Sequence, residues 1–133
     1  MTLELIPLCT AKVSLAEAII VSPTLVIGEV IDLRFEGDRL NASLKGRASA
    51  DWMEISPAGY GTVDVRATLE TDDGAILFAA YRGRLQLDTM TVYATPLFQT
   101  GDERYQWLTR IQVVAKGTFA DGPTLVYEMY ELR

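Results

Sequence analysis

The side chains able to do chemistry in this chain are carboxylates, guanidiniums and aromatic rings, because it has no histidine. That removes the commonest general base, the commonest metal ligand and every Ser–His or Cys–His nucleophile system. Asp64 and Arg66 lie two residues apart in the alternating run from Thr62 to Glu70, so they share one strand face with their side chains close together. An arginine beside a carboxylate keeps it ionised, and apolar burial pushes the other way. A carboxylate poised between the two can take a proton from carbon or from a hydroxyl, and an arginine or tyrosine can then hold an enolate oxygen. The same pair also reads as a structural ion pair that fixes strand register, or as a solvated outer face.

Glu29 is a second candidate acid or base. It shares its alternation with Leu25, Ile27, Ile31 and Leu33, where a carboxyl would be desolvated and its pKa raised. An edge position or a subunit contact with a paired arginine accounts for it equally well. Glu128, between Val126 and Tyr130, poses the same question with less force. No metal site is expected. Asp72-Asp73-Gly74 has the chemistry of a tight turn, and no further ligands follow at the spacing of a calcium loop. Cys9, the only cysteine, reads as a buried, inert thiol. Gly59-Tyr60-Gly61 is too short for a phosphate loop.

The elements that must position these groups are strands. Gly37-Asp38, Pro57-Ala58-Gly59, Asp72-Asp73-Gly74, Gly101-Asp102 and Asp121-Gly122-Pro123 punctuate the chain as hairpin turns. In Thr62–Glu70 the residues Val63, Val65, Ala67 and Leu69 form one face. Leu25–Phe35 and Tyr105–Lys116 alternate in the same way, so each reads as a two-faced strand. Strands at this spacing form a sandwich or a barrel. Ser14-Leu15-Ala16-Glu17 has the form of a helix capping box, against which stands a long first strand ending near Ser22-Pro23. Thr124–Leu132 is apolar on both faces, as in strands buried once in a core and again against another subunit, so a homo-oligomer is expected.

With 133 residues the chain reads as a single domain, 1–133, able to bury about two-thirds of its surface without disulfide or metal staples. Its net charge of −6 argues against nucleic acid, which needs a basic face. No apolar run approaches the ~20 residues of a membrane helix, and the N-terminus lacks the pattern of a signal peptide, so a cytoplasmic protein with no membrane partner is expected.

Read in order, Leu44-Lys45-Gly46-Arg47, Ala50-Asp51-Trp52, the acidic hairpin Asp64–Gly74, Tyr105-Gln106-Trp107-Leu108-Thr109-Arg110 and Gly117 resemble domain-of-unknown-function family 3237. The blocks cover a little over half the chain. The chain departs from the family in carrying Ala48-Ser49-Ala50 where glycines usually precede Asp-Trp, and Thr109 where asparagine often precedes the arginine. The resemblance implies an all-β fold: one closed or nearly closed antiparallel up-and-down barrel of about eight strands, allied in shape to the allene oxide cyclase barrels, with at most one short helix. It further implies chemistry without a cofactor on small apolar or polyketide-like molecules.

Asp51 and Arg110 come from these family blocks. If they meet Asp64 and Arg66 in a barrel mouth, with Trp52 and Trp107 as walls, two carboxylates and two guanidiniums form one site. Tyr81, Tyr93, Tyr105, Tyr127 and Tyr130 read chiefly as packing residues, of which one or two present a hydroxyl to the lumen, and Tyr81 and Tyr105 are the candidates for substrate binding. The function expected is cofactor-independent acid/base catalysis, as a cyclase, isomerase or lyase, on a small hydrophobic carbonyl compound in the lumen. The alternative is a protein that binds a small lipophilic molecule without converting it. An assembly protein built on the doubly apolar strands is a third reading.

Overall fold

The computed structural model describes residues 1–133. The chain forms eleven strands: β1 (Leu5–Leu15), β2 (Ile19–Ser22), β3 (Leu25–Glu36), β4 (Ala42–Leu44), β5 (Ala50–Ser56), β6 (Tyr60–Thr71), β7 (Ile76–Gln86), β8 (Thr91–Ala94), β9 (Leu97–Gln99), β10 (Val113–Asp121) and β11 (Thr124–Leu132). Eight of them close an antiparallel barrel in the order β1-β3-β5-β6-β7-β8-β10-β11, and β11 returns to β1. Each wall strand therefore neighbours the next wall strand in the chain. β2, β4 and β9 are accessories, paired to β3, to β3 and β6, and to β7. No helix is long and apolar enough to cross a membrane.

The turn residues act where their chemistry requires. Gly59 and Gly74 take φ of 93° and 94° in the β5–β6 and β6–β7 hairpins, a conformation that Cβ-bearing residues avoid. The alternation of β6 holds along its length: Val63, Val65, Ala67 and Leu69 are buried in the lumen, where they meet Leu33, Leu77, Ala79 and Leu85 in one continuous core.

The capping box at Ser14 does not open a helix, because Ser14 is paired on both sides, to Thr124 and to Asp32, and the sheet ladder outweighs a local cap. Tyr105–Lys116 is not one strand. Asp102 accepts the Arg104 N–H on its side chain at 2.9 Å and starts a short, kinked 3-10 segment, Glu103–Arg110, so the strand begins only at Val113. In β3 the pairing with β1 jumps from Asp32 (opposite Ser14) to Val30 (opposite Leu15). Ile31 is the extra residue of a bulge, and the bulge exchanges the two faces. Leu33 and Phe35 point inward as expected, but on the other side of the bulge the inward set is Val30 and Gly28, while Glu29 and Ile31 are exposed.

The two ends of the barrel differ. At the end where β1 begins, Leu40 of the β3–β4 loop and Leu108 of the 3-10 segment are fully buried in one core with Leu8 and Phe98 and close that end. At the other end Leu15, Met53, Leu87 and Phe119 are only half-buried against the core. These four cover the core at that end.

Candidate active site

One row of paired residues crosses the wall: Gly28 on β3, Asp51 on β5, Val65 on β6 and Tyr81 on β7. Directly opposed residues of an antiparallel ladder share a face. Val65 is buried in the lumen, so Asp51 and Tyr81 point there too, at 9% and 8% exposure. Tyr127 reaches the same level from β11. It can do so because its partner on β10 is Gly117, where a Cβ would lie only 2.6 Å from Tyr127 Cε1. The rings of Tyr81 and Tyr127 meet edge to face, with centroids 5.8 Å apart and planes at 79°.

Asp51 interrupts the sheet that carries it. The β5–β6 ladder runs through Ala50–Arg66 and Asp51–Val65 and resumes only at Glu54–Thr62. In the gap the backbone N–H of Asp64 donates to Asp51 Oδ1 at 2.9 Å. None of the chain's ion pairs involves Asp51. Burial pushes its carboxyl up to about 6, against the opposing pull of the Asp64 N–H, and the charge of the Asp64 carboxylate adds to the rise. Burial also holds Tyr81 and Tyr127 well above the ordinary phenol range, and each feels the negative charge of Asp51. Near neutral pH both phenols therefore keep their protons and remain donors. Inside the apolar barrel lie a carboxylate able to accept a proton and two protonated phenols, which feel its charge and are hydrogen-bonded to each other.

The other expected residues lie elsewhere. Arg66 is on the outer face, its guanidinium 5.3 Å from the centroid of Trp52, which is also outward and 37% exposed. Asp64 projects from the same outer face; only its backbone N–H serves the lumen. Glu29 is exposed through the β3 bulge. Arg110, Trp107 and Tyr105 belong to the 3-10 segment at the closed end. There Trp107 lies under Arg39, 5.2 Å from guanidinium carbon to ring centroid, and the Tyr105 hydroxyl donates to Asp73 Oδ1 at 2.8 Å. Asp51 and Arg110 do not meet. The Asp-Asp-Gly turn is engaged in structure: Asp72 accepts two hydrogen bonds from Arg34, at 2.6 and 2.9 Å, and Asp73 also accepts from Thr71. Cys9 is buried and its thiol is pushed up to about 12 by burial, so it is not a nucleophile. Tyr127, one of the five tyrosines weighed in the sequence, was not singled out for the interior. Its strand is apolar on both faces, and only Gly117 across the ladder marks room for a ring.

A closed eight-stranded antiparallel barrel, with a few polar groups set among the apolar residues of its interior, defines the class of protein: a small-barrel scaffold. The chain belongs to the family described as protein of unknown function (DUF3237), whose profile matches residues 3–92 and 87–132. No curated protein matches the sequence. Among solved structures, a β-barrel-like protein from Acinetobacter baumannii superposes with a TM-score of 0.87 at 24% identity, over 100% of this chain and 98% of its own. A conserved protein of unknown function from Rhodopseudomonas palustris gives 0.89 at 19% identity, over 100% and 99%. A protein from Penicillium herquei described as an enzyme gives 0.73 at 19% identity, over 99% and 94%. At these identities the likeness is one of fold.

Proposed function

We propose that the protein is a cofactor-independent acid/base enzyme, acting on a small hydrophobic carbonyl compound that enters between Leu15, Met53, Leu87 and Phe119. What carries the reading is Asp51: a carboxylate buried in the lumen with no cation beside it, its carboxyl at about 6 and two protonated phenols at its level. At pH 7 such a group is ionised about ten to one, yet its conjugate acid is strong enough to return the proton. In the proposed step the carboxylate takes the proton on the carbon next to the carbonyl. The C–H pair becomes the enolate double bond, and the carbonyl π pair moves to oxygen, where Tyr81 or Tyr127 donates a hydrogen bond. Where the substrate carries a C=C bond one carbon beyond, the enolate is a dienolate: the oxygen pair re-forms the carbonyl, the double bond shifts to lie beside it, and the far carbon takes the proton back from Asp51, an isomerisation with no net gain or loss of atoms or electrons. The same enolate can close a ring or expel a leaving group, which gives the cyclase and lyase variants. That a barrel of this shape from Penicillium herquei is described as an enzyme accords with this reading.

The experiment is native mass spectrometry of the purified protein, followed by release and identification of any bound molecule. That molecule is then incubated with catalytic amounts of wild type and Asp51→Asn protein in D₂O. Conversion, or deuterium uptake next to a carbonyl, by wild type and not by the variant is the expected result. Stoichiometric release of an unchanged, unexchanged molecule from both proteins would identify a carrier instead.

A further inference from the structure

The outer wall over β2, β3 and β5 carries apolar side chains that nothing in the chain covers. Ile19, Ile20, Ile31 and Trp52 are 46%, 73%, 61% and 37% exposed. Ile19 pairs with Ile27, and Ile27 with Trp52, so the three form one row across the outer face. Beside the row is a cleft of about 430 Å³ whose lining includes Glu29 and Arg47. Neither of these makes an ion pair within the chain. The strand at its margin, β2, is hydrogen-bonded to β3 alone. Its second edge offers free N–H and C=O groups; the strand is short, bulged at Val21 and followed by Pro23, but Ile19-Ile20-Val21-Ser22 carries no lysine or other charge to repel a second copy.

We propose that this face is the interface of a homodimer, in which β2 of one copy pairs antiparallel with β2 of a second across a two-fold axis. The occupant is a second copy because the surface is its own complement. An antiparallel edge satisfies itself under a two-fold, and a patch that holds one uncommitted carboxylate and one uncommitted guanidinium brings Glu29 of each copy to Arg47 of the other. Pairing of the edges covers Ile19 and Ile20, and the apolar row supplies the dehydrated centre that a stable interface needs. The face is the outside of the wall whose inside bears Asp51, so this inference stands whether or not the lumen is catalytic.

The test uses charge exchange at two exposed positions, where the fold is indifferent to the side chain. Sedimentation velocity over a concentration series at low salt is expected to show wild type at twice the 14.7 kDa chain mass. Glu29→Arg and Arg47→Glu, each alone, place like charges together twice per dimer and are expected to raise the dissociation constant about a hundredfold or more. An equimolar mixture of the two variants is expected to recover the dimer, because every contact is then again between opposite charges. A wild type that is monomeric throughout overturns the proposal. So does an oligomer indifferent to both substitutions, or a mixture of the variants that does not reassociate.

Discussion

Asp51 and Asp64 are joined by one hydrogen bond, from the backbone N–H of Asp64 to the side-chain oxygen of Asp51 at 2.9 Å, and it links two carboxylates that face opposite sides of the barrel wall. The sequence reading places both carboxylates in one site. The bond divides their roles: Asp51 holds the charge inside, and Asp64 contributes a fixed dipole from the main chain. Substitution of Asp64 therefore leaves the donor in place. Asp64→Asn is expected to change turnover less than about threefold and Asp51→Asn to abolish it, while Tyr81→Phe or Tyr127→Phe, each removing one donor to the enolate oxygen, lowers kcat by about 10²-fold. Steady-state kinetics on the released substrate checks this, with the fold monitored by circular dichroism.

Asp51 also makes stability depend on pH in an unusual direction. Its carboxyl is raised from 3.8 to about 6 in the folded chain, so between these values the native state binds more protons than the unfolded one. Stability from this group is then greatest below about 4, falls as pH rises towards 6 and is level above. The full shift is worth about 3 kcal/mol. Asp51→Asn keeps an oxygen to accept the Asp64 N–H and removes the charge. Urea unfolding is expected to show the variant gaining on wild type by about 1–3 kcal/mol as pH moves from 4 to 7. An unchanging difference would mean that the carboxylate is solvated.

Glu131 has the opposite sign. It is buried and bonded to Arg39 at 2.8 Å and to Arg133 at 2.8 Å, and these partners hold its carboxyl below the usual range. Its contribution is complete above the unfolded pKa and is lost as pH falls through the depressed folded value. Glu131→Gln is expected to destabilise the chain at pH 7, with the gap to wild type narrowing in acid. Paired melting curves at pH 7 and pH 3 read the trend.

Gly117 is required by a neighbour rather than by its backbone. Gly117→Ala drives a methyl into the Tyr127 ring and is expected to destabilise by about 1–3 kcal/mol. In a Tyr127→Leu background the same change is expected to lose most of its effect. A double-mutant cycle in urea measures the coupling.

The barrel was legible in the sequence because its walls alternate and its turns use glycine and aspartate at the right places. Val63 to Leu69 is the clearest case. The site was legible only in part. Asp51 and Tyr81 were expected and are lumenal. Glu29 was misplaced because a bulge at Ile31 leaves no mark in a hydrophobic pattern: one additional residue reverses the faces of β3 while the letters still alternate. Arg66 and Trp52 were misplaced by an assumption about direction. Period two says which residues share a face, and the face opposite Val63 and Val65 is the outside. Arg110 and Trp107 sit on a segment whose alternation imitates a strand but whose start is fixed by the Asp102 cap. Tyr127 was hidden by a strand with no polar face to orient it.

The circular strand order has a kinetic consequence. Every wall pairing but one joins consecutive wall strands, and four of them, β5–β6, β6–β7, β7–β8 and β10–β11, are hairpins closed by two to four residues. The exception is the seam where Leu5 meets Leu132, which brings together segments from opposite ends of the polypeptide. Formation of that seam carries the largest loop-closure entropy and converts an open, curled sheet with two free edges into a ring with none. Substitutions that weaken β1–β11 are thus expected to hasten unfolding and to leave the early hairpins untouched. Until the seam forms, the lumen has no inside.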